Sequence, residues 1–147
     1  MCLIISKYNT GRTAKTDITV YKVLNKTAKA IHRNYQYSLG KLNKTDIKNN
    51  GIGQAADHIA CDYYDKKFNS EGWAFILLKN SHLNTKALGS GFHACETYER
   101  AKLYLEDSIH LFPIVGIYEC TIPAGSKYYK DGSGLIVSSQ LIVNKII

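Results

Sequence analysis

The last third of the chain is a series of short apolar runs separated by turn residues, and this pattern restricts the fold more than any other feature. Gly125 closes one turn, and Asp131-Gly132 is a strong hairpin signal. Runs of strand length joined by such short turns predict antiparallel pairing. The four runs, rich in β-branched and aromatic side chains, are residues 113–122, 127–129, 135–137 and 140–147.

The rest of the chain adds further elements. Residues 18–24 alternate and predict a central strand, and residues 30–39 alternate with Tyr35, Tyr37 and Leu39 on the inward face. The remaining predictions are a loop over 41–53, a helix over 54–67, a strand over 73–78, a polar loop over 79–86 and a helix that begins at Thr97. Together these predict one α+β domain over residues 1–147, with mostly antiparallel sheet of about six to eight strands and two main helices.

Residues 89–97, with the sequence GSGFHACET, bring glycines, an imidazole, a thiol and a carboxylate together just before a helix. Gly89 and Gly91 favour a tight turn, and Thr97 is a good N-cap. The free N–H groups of the first helical turn favour an anion such as phosphate. The same pattern also fits an ordinary loop that enters a surface helix, with His93 as a hydrogen-bonded structural residue.

The composition limits which partners and which cellular compartment we expect for this protein. The net charge of +7 favours phosphate-bearing partners, although the lysines form no dense stripe, so nucleic acid is a less favoured partner than a small nucleotide. The four cysteines include no CxxC pair, which predicts neither a structural zinc site nor a disulfide framework. His58 and Asp62 lie four residues apart on the predicted helix, but two ligands do not make a metal site. No signal sequence or membrane span is predicted, so we expect a cytoplasmic protein. We also expect that the protein needs no cofactor.

Two segments carry a resemblance to a known family. The order Tyr37-x-x-Gly40-Lys41, then GFHACE over residues 91–96, then a closing strand resembles an uncharacterised family of small phage and prophage proteins. The additional residues 54–78 separate the two motifs here, whereas shorter family members lack them. The resemblance implies a phage-type protein and brings no established activity.

A second resemblance, over two segments only, is to folds of the ADP-ribosyltransferase type. A strand like the one around Lys22, followed later by the Gly91-Phe92 turn and a helix that contains Ala101, is similar to that fold. Lys22 stands where an arginine or histidine is expected, and the terminal glutamate is missing unless Glu119 serves. The resemblance therefore implies a cleft related to a nucleotide-binding one rather than transferase activity.

These observations predict a protein that binds and cleaves small nucleotide immune signals, such as cyclic oligonucleotides or NAD-derived molecules, to counter host defence. In the enzymatic form it would be a metal-independent nucleotide phosphodiesterase, because an acid, a base and cations suffice for that chemistry, or a degenerate enzyme of the ADP-ribosyltransferase type. The alternatives are a nucleotide-sequestering protein without chemistry and an inhibitor that caps a host protein. The predicted catalytic residues are His93, Tyr21 and Glu119, and the predicted nucleotide-binding residues are Lys22, Tyr37, Lys41, Gly91, Glu96, Thr97 and Lys127.

Overall fold

A computed structural model describes residues 3–6, 10–30, 35–45, 47, 85–88, 91–108, 115–130, 132 and 134–147. The strands and the helix in these residues form an α+β fold. This part of the chain holds ten strands and one helix, which confirms the predicted fold class. The predicted helix over 54–67 and strand over 73–78 lie outside the described residues. No helix among the described residues is long and apolar enough to cross a membrane.

All named strand pairs are antiparallel, as the short turns predict. Strands β1 (Leu3–Ser6) and β5 (Thr85–Leu88) form a two-stranded sheet. The other strands are β2 (Arg12–Thr13), β3 (Ile18–Asn25), β4 (Leu42–Lys44), β6 (Phe92–Cys95), β7 (Val115–Ile122), β8 (Lys127–Lys130), β9 (Leu135–Ser138) and β10 (Gln140–Ile146). They form one eight-stranded sheet in the order β2-β8-β9-β6-β3-β7-β10-β4. The prediction that the strand over 18–24 is central is confirmed, since β3 lies between β6 and β7.

The main sheet buries side chains on both of its faces. Alternation along β3 sends Val20 and Leu24, both fully buried, into the larger core, and Val23 to the opposite face. There Val23 packs against Ala101 of helix α1, which spans Tyr98–Ser108. The Arg100 N–H donates to the hydroxyl of Thr97 at 3.1 Å, so the predicted N-cap is confirmed.

The sheet is divided between β3 and β6. Strand β3 pairs with β7 through eight consecutive residues, from Ile18 to Asn25. Its pairing with β6 is limited to the single pair Tyr21 and Cys95. Beyond this pair the two strands separate, and a cavity lies between them.

Three sequence predictions are wrong in position. Residues 35–39 form no strand, because their backbone groups bond back to the turn after β3 and only Lys29 and Gln36 form an isolated bridge. Tyr37 is buried as predicted, but Leu39 is 53% exposed. The predicted loop over 41–53 contains β4, and the predicted loop over 79–86 contains the start of β5. Strand β6 begins directly after the turn predicted at Gly89 and Gly91.

Candidate functional site

A cleft of about 240 Å³ opens where β3 and β6 separate. It takes side chains from both faces of the sheet, because a gap between two strands is open to each face. Its described lining is mostly aromatic and aliphatic, with two lysines, one histidine, one threonine and one thiol. The lining residues are Tyr21, Lys22, Val23, Leu24, Ala30, Tyr35, Tyr37, Lys44, Thr45, Gly91, Phe92, His93, Ala94, Cys95, Tyr104 and Leu135.

The backbone of β6 shows how the gap is bridged. The Glu96 N–H donates to the Gly134 carbonyl at 2.8 Å, on the β9 side. Because backbone groups of successive strand residues point to opposite sides, those of Cys95 and His93 face β3. Cys95 meets Tyr21 there, whereas the His93 carbonyl accepts a hydrogen bond from the ammonium group of Lys22. The ammonium group of Lys22 therefore makes the hydrogen bond to the His93 carbonyl that a backbone N–H of a paired strand would otherwise make.

Three aromatic rings form one wall of the cleft. The ring centroids of Tyr35 and Tyr37 lie 4.8 Å apart, and those of Tyr37 and Phe92 lie 5.8 Å apart. The Tyr35 hydroxyl donates to the Oδ1 atom of Asn43 at 3.2 Å, which fixes the exposed end of that ring. Tyr37 and Phe92 are buried, so the ring of Tyr35, which is 40% exposed, offers the apolar surface against which a planar group can stack.

The charge at the cleft is positive. Lys22 Nζ lies 5.7 Å from the centroid of the Tyr37 ring, and Lys44 lines the same cavity. None of the described lining residues is Asp or Glu. Such a site favours an anion over a cation.

His93 lies at the cleft with both ring nitrogens close to backbone carbonyls. Nδ1 is 3.2 Å from the Gly91 oxygen and Nε2 is 3.2 Å from the Leu88 oxygen. The two carbonyls favour protonation, but burial and then the charge of Lys22 outweigh them and lower the pKa of His93 from 6.5 to about 4. The ring is therefore neutral near pH 7, and because a neutral imidazole carries a single N–H, it donates to only one of the two carbonyls at a time.

The thiol of Cys95 also lines the cleft. Burial raises its pKa above the ordinary value, against the charges of Arg100 and Lys22. Because the thiolate is the nucleophilic form, this thiol is poorly suited to nucleophilic chemistry. Its strand neighbour Tyr21 packs edge-on against Tyr98, with ring centroids 6.1 Å apart.

The structure brings five of the predicted site residues together. They are Tyr21, Lys22, Tyr37, Gly91 and His93, which come from β3, β6 and the segments that precede β4 and β6.

The other five predicted site residues are not among those that line the cleft, and three of them have other contacts. Glu96 forms an ion pair with Lys130 at 3.3 Å, and Thr97 caps the helix. The Lys127 ammonium lies 5.4 Å from the centroid of the Tyr129 ring. The remaining two are Glu119, on the central strand β7 opposite Tyr21 and Lys145, and the exposed Lys41.

Sequence reasoning missed Lys44 as a site residue. It lies in a stretch predicted to be a loop, and nothing in the local pattern distinguishes it from Lys41. Only the pairing of Lys44 with Gln140, across β4 and β10, directs this part of the chain to the cleft.

Comparisons with models of protein families, with curated proteins and with solved structures find no match. The resemblances to a phage family and to ADP-ribosyltransferase-type folds stay predictions. Among the described residues, no three His, Cys, Asp or Glu side chains form a group that could hold a metal ion.

Proposed function

We propose that the cleft binds a small nucleotide and holds it without cleaving it. One observation carries the proposal: an aromatic wall and two lysines share one cavity whose described lining has no carboxylate. Aromatic faces accept nucleobases with little sequence preference, and ammonium groups attract phosphate. A nucleotide combines these two chemical features.

Binding alone is favoured over cleavage by the state of His93. A general acid or base needs a ring nitrogen that can reach the substrate and a pKa near the working pH. Both ring nitrogens of His93 lie beside backbone carbonyls, and its pKa is lowered to about 4 by burial and by Lys22. Glu119, the other predicted acid or base, is not among the residues that line the cleft.

The size of the cleft limits the ligand. Small-molecule sites usually measure about 300–1,000 Å³. The cleft, at about 240 Å³, lies below this range, so it can enclose at most one nucleotide unit, part of which stays outside the cleft. The nucleotide signals predicted from the sequence are cyclic oligonucleotides and NAD-derived molecules, and each would place one of its nucleotide units in the cleft. We propose that the protein counters host defence by sequestering such a signal.

The proposal is tested by calorimetric titration with the four ribonucleoside 5′-monophosphates. We expect at least one to bind. A monophosphate has no phosphodiester bond, so cleavage is tested separately: a cyclic dinucleotide or NAD should be recovered intact after incubation with the protein and heat denaturation. Lys22→Met should weaken binding about tenfold, the equivalent of one charge-assisted hydrogen bond. Tyr35→Ala should also weaken it about tenfold, because it removes one stacking surface.

Lys102→Ala is the matched control for the loss of positive charge. Lys102 is exposed on helix α1, and alanine is a good helix former, so this variant should bind like the wild type. Failure of every monophosphate to bind would refute the proposal. Recovery of a cleaved ligand, with cleavage abolished in His93→Ala, would instead establish an enzyme.

A further inference from the structure

A second, polar depression adjoins the cleft. It is lined by Lys44, Thr45, Ser139 and Gln140, and the first two of these also line the cleft. Lys44 and Thr45 therefore form a common border of the two cavities, at the end of β4.

Backbone pairing holds the four residues beside one another. Lys44 lies directly opposite Gln140 in the β4–β10 pair, so their side chains share a face of the sheet. The Thr45 N–H donates to the Ser139 carbonyl at 2.9 Å, which holds the next residues of the two segments together. The arrangement depends on strand register rather than on flexible loops.

The side chains of the depression supply hydrogen-bond donors and a positive charge. Lys44 contributes an ammonium group, Gln140 an amide NH₂, and Thr45 a hydroxyl. The Ser139 hydroxyl oxygen accepts from the Lys127 N–H at 3.1 Å, and its proton remains to be donated. None of the four is acidic. Donors around a cation form a site for an anionic group with several acceptor oxygens, such as a phosphoryl group.

We infer that the depression binds a second phosphate of the same ligand, so that the preferred ligand class is a nucleoside diphosphate. The inference rests on the proposed function, because the base and the first phosphate occupy the cleft. Lys44 lies where the two cavities meet and contacts the bridge between the phosphates. Thr45, Ser139 and Gln140 hold the terminal phosphate.

The test compares the four ribonucleoside 5′-diphosphates with the matching monophosphates by calorimetry. The wild-type protein should bind the preferred diphosphate about tenfold more tightly than its monophosphate, the equivalent of one charge-assisted hydrogen bond. In the double variant Ser139→Ala and Gln140→Leu, this preference should disappear. Neither Ser139 nor Gln140 is among the residues that line the cleft, so monophosphate affinity should stay within about twofold of the wild type. Lys102→Ala should keep the diphosphate preference.

The outcomes separate the two proposals. Equal affinity of the wild type for the monophosphate and the diphosphate overturns this inference and leaves the proposed function intact. A diphosphate preference that survives in the double variant also overturns it, because the preference then arises elsewhere. If no monophosphate or diphosphate binds, both proposals fail. The mono- and diphosphate comparison needs no variant, so the test holds even if the double variant does not fold.

Discussion

At the scale of single residues, His93 connects the site to stability. Its pKa is lowered from 6.5 to about 4 by burial and by Lys22, so the folded protein resists a proton that the unfolded chain accepts. Acidification therefore stabilises the unfolded state. The contribution is fully present above pH 6.5 and is lost as the pH falls to about 4, for a total of about 3 kcal/mol.

His93→Asn should flatten this dependence, because asparagine does not titrate. The measurement is the free energy of unfolding in urea at several pH values between 4.5 and 7, for both proteins. Carboxylates that titrate near pH 4 affect both proteins alike, so the difference between the two curves isolates His93. A difference that does not change with pH would show that the folded protein accepts this proton as readily as the unfolded chain does.

Single residues also show how much of the candidate site could be predicted from the sequence. Lys22, Tyr37, Gly91 and His93 were predicted from local motifs, and they converge on the cleft. Glu119 was a candidate because a carboxylate within an apolar run suggested a functional role. The position of Glu119 relative to the cleft was not predictable from the sequence. Which residues of a strand reach the cleft depends on the register of that strand with strands that are distant in the sequence. The hydrogen bond from Lys22 to the His93 carbonyl joins residues 71 positions apart.

At the scale of elements, the split between β3 and β6 makes a distinct prediction for amide exchange. The Val23 amide faces β6, beyond the last pair, because Tyr21 two residues earlier faces Cys95. The Lys22 and Leu24 amides face β7, to which β3 is paired throughout. In native-state hydrogen exchange, the Val23 amide should exchange about tenfold faster than those of its two neighbours.

A nucleotide in the cleft should slow exchange at Val23 more than at Lys22 and Leu24, because it covers only the open side of β3. The two neighbouring amides serve as internal controls, since they share the same strand and differ only in the side they face. Equal protection of all three amides without ligand would contradict the split. Faster exchange at Val23 that the bound nucleotide leaves unchanged would place the ligand elsewhere.

The accuracy of the predicted elements follows their length. Strands β3, β7 and β10 have seven or eight residues and were predicted well, β3 from its alternation and β7 and β10 as long apolar runs rich in β-branched residues. Strand β4 has three residues, too few to show a pattern, and it is held by pairing with β10 and by the buried Asn43, whose amide donates to the Leu141 carbonyl. Residues 35–39 show the opposite error. They alternate, but Gly40 bonds to Val143 and Tyr37 bonds to the turn at Ala28, so no strand forms there.

At the scale of the whole molecule, the order of the strands decides where the site lies. Alternation predicts which residues belong to a sheet, but it does not predict that β6 stands beside β3 or that the pair holds at one position only. The cleft is a consequence of that order, and so is the meeting of the two cavities at Lys44. Neither could be predicted from one segment alone.

The net charge of +7 gives the last prediction, which concerns ionic strength. If phosphate binds through Lys22 and Lys44, salt must weaken that attraction, because the screening length falls from about 10 Å at 0.1 M to about 3 Å at 1 M. The affinity for a nucleoside monophosphate should then fall severalfold between these two salt concentrations. The matching nucleoside, which has the base but no charge, should bind more weakly at low salt and change little. Calorimetry on the same protein sample measures both ligands. Parallel salt dependence of nucleotide and nucleoside would mean that the lysines do not hold the phosphate, and that the aromatic wall alone accounts for binding.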